Sequence, residues 1–164
     1  VHQYLARPGC YIKSSYGGLG VGMGEAAGVK LAHPDRPVVL LVGDGSFNYN
    51  PVLAALGLYQ EYRLPVFIII MNNSGYMVMK FAHRMHFPQG AAASRDQFLG
   101  VDITPAPDYV KVAEAFGARG EKLEDPGDVG PALNRGLEQI SRGKVALLDV
   151  ILEEMMPVSP PTGS

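Results

Sequence analysis

The fold is decided by residues 38–46, which read VVLLVGDGS. Five consecutive apolar residues, rich in β-branched side chains, are typical of a strand that is buried on both faces of a parallel sheet. A second run of this kind, VFIIIM at residues 66–71, ends in Asn72-Asn73, whereas the first ends in the turn Gly43-Asp44-Gly45. The sequence therefore predicts two buried strands, each followed at once by polar residues.

The segment between these two runs predicts a helix. Asn50 is a residue type that caps helices, and Pro51 suits the first helical position, so the helix is expected to reach about Tyr62. A strand, a helix and a second strand in succession form a βαβ unit with a right-handed crossover. Both polar strand ends should then lie at the carboxyl edge of one sheet, where ligands bind in open α/β sheets.

The remaining segments extend this pattern. Small residues recur within 19–32 and predict a helix packed very close to its neighbour; they are Gly20, Gly24, Ala27 and Gly28. Residues 81–107 are rich in proline, glycine and alanine and predict a long loop that could act as a lid. Asp108 is expected to cap a helix that stops at Gly117, and a helix over 129–142 and a strand over 145–152 should follow.

These expectations define a three-layer α/β fold, with a mostly parallel sheet and helices on both faces. One domain is expected over residues 1–156, followed by an unstructured tail at residues 157–164. The chain begins with Val1 rather than methionine, which suggests a piece of a longer protein or a separate subunit.

Composition narrows the class of function. The 164 residues include 14 basic and 16 acidic side chains, a formal charge of −2, which argues against nucleic acid or an anionic membrane as the partner. No apolar run reaches the length of about 18 residues that a membrane span needs. Cys10 is the single cysteine, which fits a reducing compartment and predicts a cytoplasmic location.

The two polar strand ends carry the chemistry of a magnesium-bound diphosphate. Mg²⁺ prefers oxygen ligands, and Asp44 offers a carboxylate between two glycines while Asn73 offers an amide oxygen. Gly43, Gly45 and Ser46 leave backbone N–H groups accessible near the start of the next helix, where the helix dipole favours anions. The pattern therefore favours a cradle in which the metal bridges protein and diphosphate.

The spacing from Gly43-Asp44-Gly45-Ser46 to Asn72-Asn73 resembles the signature of thiamine-diphosphate-dependent enzymes. Residues 17–20 (GGLG) and 72–80 are similar to the carboxyl-terminal cofactor domain of the acetolactate synthase, benzoylformate decarboxylase and pyruvate decarboxylase group. The similarity in layout extends over nearly the whole chain.

The resemblance implies a role for individual residues. It implies that Mg²⁺ is bound by Asp44, Asn73 and the carbonyl of Gly75, and that Leu19 supports the bent cofactor from below. The other residues that it places at the site are Gly43, Gly45, Ser46 and Tyr76 beside the diphosphate, Gly17 as acceptor for the aminopyrimidine, and Val78 and Met79 at the substrate pocket.

The resemblance further implies an enzyme of 2-oxo acid decarboxylation and carboligation, a lyase or transferase similar to acetolactate synthase. An aryl 2-oxo acid decarboxylase or lyase similar to benzoylformate decarboxylase is the alternative within this class. The glutamate that activates the cofactor in such enzymes belongs to a pyrimidine-binding domain, for which 164 residues leave no room. We therefore expect a homo- or hetero-oligomeric partner, in a dimer or tetramer, and no activity from this chain alone.

Other interpretations stay open at this stage. Gly22, Gly24 and Ala27 satisfy the dinucleotide-binding pattern G-x-G-x-x-A, although residues 12–20 are too glycine-rich and polar to supply the strand that this pattern must follow. A non-catalytic regulatory module would keep the same fold. His83 and His86 could form a metal or acid–base pair, or could simply belong to a polar loop.

Overall fold

The structure, a computed structural model, describes residues 9–13 and 18–153. Its elements, in chain order, are α1 (Gly22–Ala32), β1 (Val38–Gly43), α2 (Asp44–Tyr49), α3 (Val52–Glu61), β2 (Val66–Asn72), α4 (Met77–His86), α5 (Ala91–Arg95), α6 (Tyr109–Glu114), β3 (Arg119–Leu123), α7 (Val129–Ser141) and β4 (Ala146–Ile151). Gly17 and the expected tail at 157–164 lie outside the described residues.

The four strands form one parallel sheet in the order β1-β2-β4-β3. Val38 pairs with Val66 and Gly43 with Met71, so β1 and β2 run side by side and end at the same edge. Apolar helices cover both faces of this sheet: α1, α3 and α6 pack on one face and α7 on the other. The expected three-layer α/β architecture is confirmed.

Burial differs between the two strands of the βαβ unit. Residues 66–70 of β2 are buried throughout, as predicted, but in β1 Val39 is 48% exposed and Leu41 is 59% exposed. The prediction that β1 is buried on both faces is wrong, because β1 lies at the edge of the described sheet and α7 packs over β2, β3 and β4. A continuous apolar run does not distinguish an edge strand from a central one.

The other edge strand of the sheet, β3, was not predicted from the sequence. Residues 119–123, which read RGEKL, pair in parallel with β4 as β3. Within β3 only Gly120 and Leu123 are buried, so the strand lacks a continuous apolar run. The final helix and strand were predicted well: α7 and β4 differ by one residue or so from the expected 129–142 and 145–152.

Several helix boundaries differ from expectation. Asn50 does not cap α3, which begins at Val52; its side chain instead accepts a hydrogen bond from the backbone N–H of Met23 and donates one to the carbonyl of Ser46. The Asn50 side chain therefore ties α1 to the end of α2. The Asp108 cap is confirmed by a hydrogen bond from the Lys111 N–H at 3.0 Å.

Two further expectations fail. α1 begins at Gly22, not Leu19, and Gly24 and Gly28 lie on its exposed side with no atom near the position of a Cβ, so they are not close-packing positions. The expected loop at 81–107 instead contains the end of α4 and all of α5. No helix among residues 9–13 and 18–153 is both long and apolar enough to cross a membrane.

Candidate functional site

Two of the predicted site residues, Asp44 and Gly75, are in contact where β1 and β2 end. Asp44 is not in a free turn: it is the first residue of α2, which begins directly after β1. Its carboxylate is 2% exposed and accepts a hydrogen bond from the Gly75 N–H, with 2.9 Å between Oδ2 and N. This bond joins the two polar strand ends across 31 residues of sequence.

Asn72 and Asn73 play different parts. The Asn72 amide donates to Asp149 Oδ1 at 3.0 Å and its Oδ1 accepts from the Ser74 N–H at 3.0 Å, so both ends of this side chain are engaged within the protein. Asn73, to which the sequence analysis assigned the metal, is therefore the asparagine to consider as a ligand. Among the residues that the structure describes, Asn73 Oδ1 is the one buried side-chain oxygen or nitrogen without a hydrogen-bond partner.

An unpartnered buried amide oxygen is costly unless it meets a donor or a cation. Asn73 follows the end of β2, next in sequence to the loop that binds Asp44 through Gly75. A divalent cation that takes carboxylate and amide oxygens fits this donor set. Within the described residues, no group of three or more His, Cys, Asp or Glu side chains could hold a metal, so such a cation would also need amide or carbonyl oxygens.

The loop at residues 74–76 is held from the outside by residues 101–103. The Tyr76 N–H donates to the Val101 carbonyl at 2.8 Å, and the Ile103 N–H donates to the Ser74 carbonyl at 2.9 Å. Ser74 has a positive φ of 56°, an uncommon conformation for a residue with a side chain. Sequence reasoning missed this second support, since a segment between prolines carries no pairing signal.

Tyr76 closes one side of the site. A Cβ on Gly45 would lie 2.6 Å from Cδ1 and 2.7 Å from Cε1 of the Tyr76 ring, which explains why residue 45 has no side chain. The Tyr76 ring meets Tyr49 edge-on, with 5.8 Å between ring centroids. Burial, and then the nearby Tyr49 and Asp44, raise the pKa of the Tyr76 hydroxyl, so it stays protonated at neutral pH.

Gly20, just before α1, packs closely against the backbone of Tyr49. Gly20 has a positive φ of 87°, and a Cβ there would lie 2.8 Å from the carbonyl carbon of Tyr49 and closer still to its oxygen. Only glycine fits this passage, as the sequence indicated. Leu19, next to it, is 49% exposed.

Val78 and Met79 lie in the first turn of α4, directly after Tyr76, and both are exposed. Met79 also lines a mainly apolar groove of about 670 Å³ between α4, α5 and residues 97–101. His83 lies in α4 rather than in the polar loop that we expected. It lines the same groove, and its ring contacts Phe87 and Phe98.

The sequence analysis also overlooked Asp149. This carboxyl lies in β4, is 5% exposed and receives the hydrogen bond from Asn72. Burial raises its pKa, and the bond from Asn72 opposes that shift. The available signal was a single acidic residue inside the apolar run ALLDVI at 146–151.

Comparison with known proteins decides the family. The model of a family described as "Thiamine pyrophosphate enzyme, C-terminal TPP binding domain" matches residues 1–150 of the chain. The chain belongs to this family. The resemblance to thiamine-diphosphate (thiamine pyrophosphate) enzymes is thereby confirmed, and the dinucleotide-binding interpretation of Gly22, Gly24 and Ala27 is no longer needed.

Two proteins with similar sequences are named as an acetolactate synthase subunit and a benzoylformate decarboxylase. The acetolactate synthase isozyme 3 large subunit of Escherichia coli is 31% identical over 144 residues, 88% of this chain and 24% of that protein. Benzoylformate decarboxylase of Pseudomonas aeruginosa is 34% identical over 114 residues, 69% of this chain and 20% of that protein.

A solved structure agrees with these relatives. It is the thiamine diphosphate-dependent 4-hydroxybenzoylformate decarboxylase of Rhodococcus jostii RHA1, with a TM-score of 0.70 and 32% identity over 85% of this chain and 24% of that one. The chain thus spans about a quarter of the length of the relatives it matches.

Proposed function

We propose that this chain provides the diphosphate half of a thiamine diphosphate site, with Mg²⁺ bound by Asp44, Asn73 and the carbonyl of Gly75. The observation that carries the proposal is the Asn73 Oδ1, which is buried and has no hydrogen-bond partner among the described residues. Asn73 follows β2, the strand that pairs with β1, and Asp44 follows β1. A cation would satisfy this oxygen and the buried charge of Asp44 together.

The surrounding residues would then act by binding and orientation. The backbone N–H groups of Gly45 and Ser46, at the start of α2, would donate to diphosphate oxygens, with Gly43 leaving open space beside them. The cofactor would cover the exposed side chain of Leu19, which would support it from below, and the Tyr76 ring would border the diphosphate. The Gly17 carbonyl stays a sequence-based assignment for the aminopyrimidine, since that residue lies outside the described ones.

At the level of activity, we propose a part of an enzyme that decarboxylates a 2-oxo acid and ligates the product to a second carbonyl compound, as the acetolactate synthase relative suggests. When bound, the cofactor supplies the electron sink for that chemistry. Val78 and Met79 would border the substrate. The complete site would need a pyrimidine-binding domain or subunit, in a dimer or tetramer, and we expect a cytoplasmic location.

A second candidate, decarboxylation of an aryl 2-oxo acid, is favoured by one feature. The groove that Met79 shares with α5 is mainly apolar and large enough for an aromatic ring, and the similar solved structure is named as a 4-hydroxybenzoylformate decarboxylase. Carbon dioxide release from pyruvate and from benzoylformate, after the chain is combined with a pyrimidine-binding partner, separates the two candidates.

Replacement of Asn73 by alanine tests the metal assignment. Because its Oδ1 has no partner in the part of the chain that the structure describes, Asn73→Ala should leave the free energy of unfolding nearly unchanged, whereas Mg²⁺-dependent binding of thiamine diphosphate should weaken at least about tenfold. Calorimetric titration of the cofactor with and without Mg²⁺, together with urea unfolding, measures both effects.

Two further variants sharpen the result. Asp44→Asn keeps an acceptor for the Gly75 N–H but removes the charge, so it should also lose Mg²⁺-dependent binding while it stays folded. Asn134→Ala, on the exposed side of α7, is the matched control and should bind as the unmodified chain does. Unaltered affinity in both Asn73→Ala and Asp44→Asn, or binding that ignores Mg²⁺, would refute the proposal.

A further inference from the structure

Asp149 is a buried acid that is not among the residues proposed to bind the cofactor or the metal. It faces the side of the sheet that α1 and α3 cover, since its register partner Ile70 belongs to that core. Asn72, two residues beyond Ile70 on β2, points to the same face and reaches Asp149 with its amide. A carboxyl at this depth persists only with a hydrogen-bond partner, and Asn72 supplies one.

Two independent neighbours fix the orientation of the Asn72 amide. The Ser74 N–H is a donor, so the oxygen of the Asn72 side chain must face it. The carboxyl oxygen of Asp149 accepts, so the amide nitrogen must face the opposite way. Both hydrogen bonds require the same orientation of the Asn72 amide. Together they connect Asp149 on β4 to the backbone N–H of Ser74.

That path continues to the candidate metal ligands. Ser74 occupies its positive φ with its N–H held by Asn72, and the next residue, Gly75, donates to the Asp44 carboxylate. A backbone conformation of this kind costs free energy and persists only where neighbouring groups hold it. Asp149, Asn72, Ser74 and Gly75 therefore form a chain of contacts that ends at Asp44.

We propose that Asp149 is a positioning residue, which orients Asn72 and so holds residues 73–75 in the conformation that presents the Asn73 oxygen and the Gly75 carbonyl to the metal. Its link to the metal depends on the function proposed above, whereas its hold on the loop does not. Asp149 touches neither cofactor nor substrate in this role.

Substitutions at residue 149 separate positioning from simple stability. Asp149→Val removes the acceptor with a side chain suited to a strand, and Asp149→Asn retains one acceptor oxygen. Leu148→Ala, the adjacent buried residue whose side chain faces α7, lowers stability without touching Asn72. Asp149→Ala replaces the valine variant if the larger side chain prevents folding.

The first measurement needs no cofactor. Asp149→Val should accelerate hydrogen exchange of the Ser74 amide by about tenfold relative to the Lys111 amide, which a different aspartate caps. Asp149→Asn should stay within about threefold of the unmodified chain, since the weaker acceptor is still present. Unchanged exchange at Ser74 in the valine or alanine variant, or equal acceleration in Leu148→Ala, overturns the proposal.

The second measurement is Mg²⁺-dependent binding of thiamine diphosphate by the same variants. Asp149→Val should weaken it by about tenfold, as loss of a supporting contact does at metal sites, and Leu148→Ala should leave it unchanged well below its unfolding midpoint. If the unmodified chain binds no Mg²⁺–thiamine diphosphate, the function proposed above fails and the exchange data alone decide the role of Asp149. Normal binding in Asp149→Val refutes its link to the metal.

Discussion

Gly43 and Gly45 flank Asp44, yet the structure assigns them different constraints, and replacing each by alanine separates the two. A Cβ at position 43 would meet no atom of the described residues within 4 Å, whereas a Cβ at position 45 would lie 2.6 Å from the Tyr76 ring. Both residues have negative φ or lie in a helix, so backbone strain does not distinguish them. The difference is one of space alone.

The size of the effect at Gly45 follows from three contributions. Carbon atoms in contact prefer about 3.5–4.0 Å, so the Tyr76 ring must move by about 1 Å, and overpacking of this kind costs about 1–3 kcal/mol. Loss of the edge-on contact with Tyr49 adds about 0.5–1.5 kcal/mol. Alanine regains about 1 kcal/mol over glycine within a helix. Gly45→Ala should therefore destabilise the chain by about 0.5–3.5 kcal/mol.

Urea unfolding followed by circular dichroism measures this difference, and near-ultraviolet signals of tyrosine report the movement of Tyr76. Gly43→Ala is the matched control and should lie within about 0.5 kcal/mol of the unmodified chain or be slightly more stable. Adding Tyr76→Ala to Gly45→Ala should remove the clash, so the two changes should be non-additive. Full stability of Gly45→Ala with an unmoved Tyr76 signal would show that the reasoning is wrong.

The remaining predictions concern α7. Gly136→Ala would place a Cβ 2.5 Å from two carbons of the buried Phe67 ring, so thermal unfolding should show a loss of about 1–3 kcal/mol that Phe67→Leu largely restores. The hydrogen bond from Arg135 lowers the pKa of the Glu121 carboxyl, so the stability from this pair is present above about pH 4.5 and is lost as the pH falls through the lowered pKa. Arg135→Gln should accordingly be less stable than the unmodified chain in urea at pH 6, and the difference should shrink as the pH is lowered from 6 to 3. A constant difference would contradict the assignment.

The parts of the site that the sequence predicted share a physical reason. A buried parallel strand ends where polar residues begin, so the positions of Asp44 and Asn73 follow from the two apolar runs at 38–42 and 66–71. Gly20 was placed at a close approach for a similar reason, because only glycine tolerates its positive φ. Such features depend on the local chain and remain visible in a linear pattern.

The parts that the sequence missed depend on long-range contacts. Asn50 has the residue type of a helix cap, but its partners are Met23 and Ser46, and no local rule predicts that choice. The hydrogen bond from the Tyr76 N–H to the Val101 carbonyl likewise joins two segments for which no contact was predicted from the sequence. His83 was expected in a loop because proline and glycine lie beyond it, although α4 runs to residue 86.

By itself, the sequence determined the α/β class, the two strand ends and the family signature, because hydrophobic period and glycine placement are local properties of the chain. The tertiary structure alone decided that β1 is an edge strand in the described part of the chain, since exposure depends on what packs beside it. It also decided which of two adjacent asparagines is engaged within the protein. Asn72 donates to Asp149 across 77 residues of sequence, whereas the side-chain oxygen of Asn73 has no partner among residues 9–13 and 18–153. Side-chain direction in a folded sheet, rather than residue type, makes that distinction.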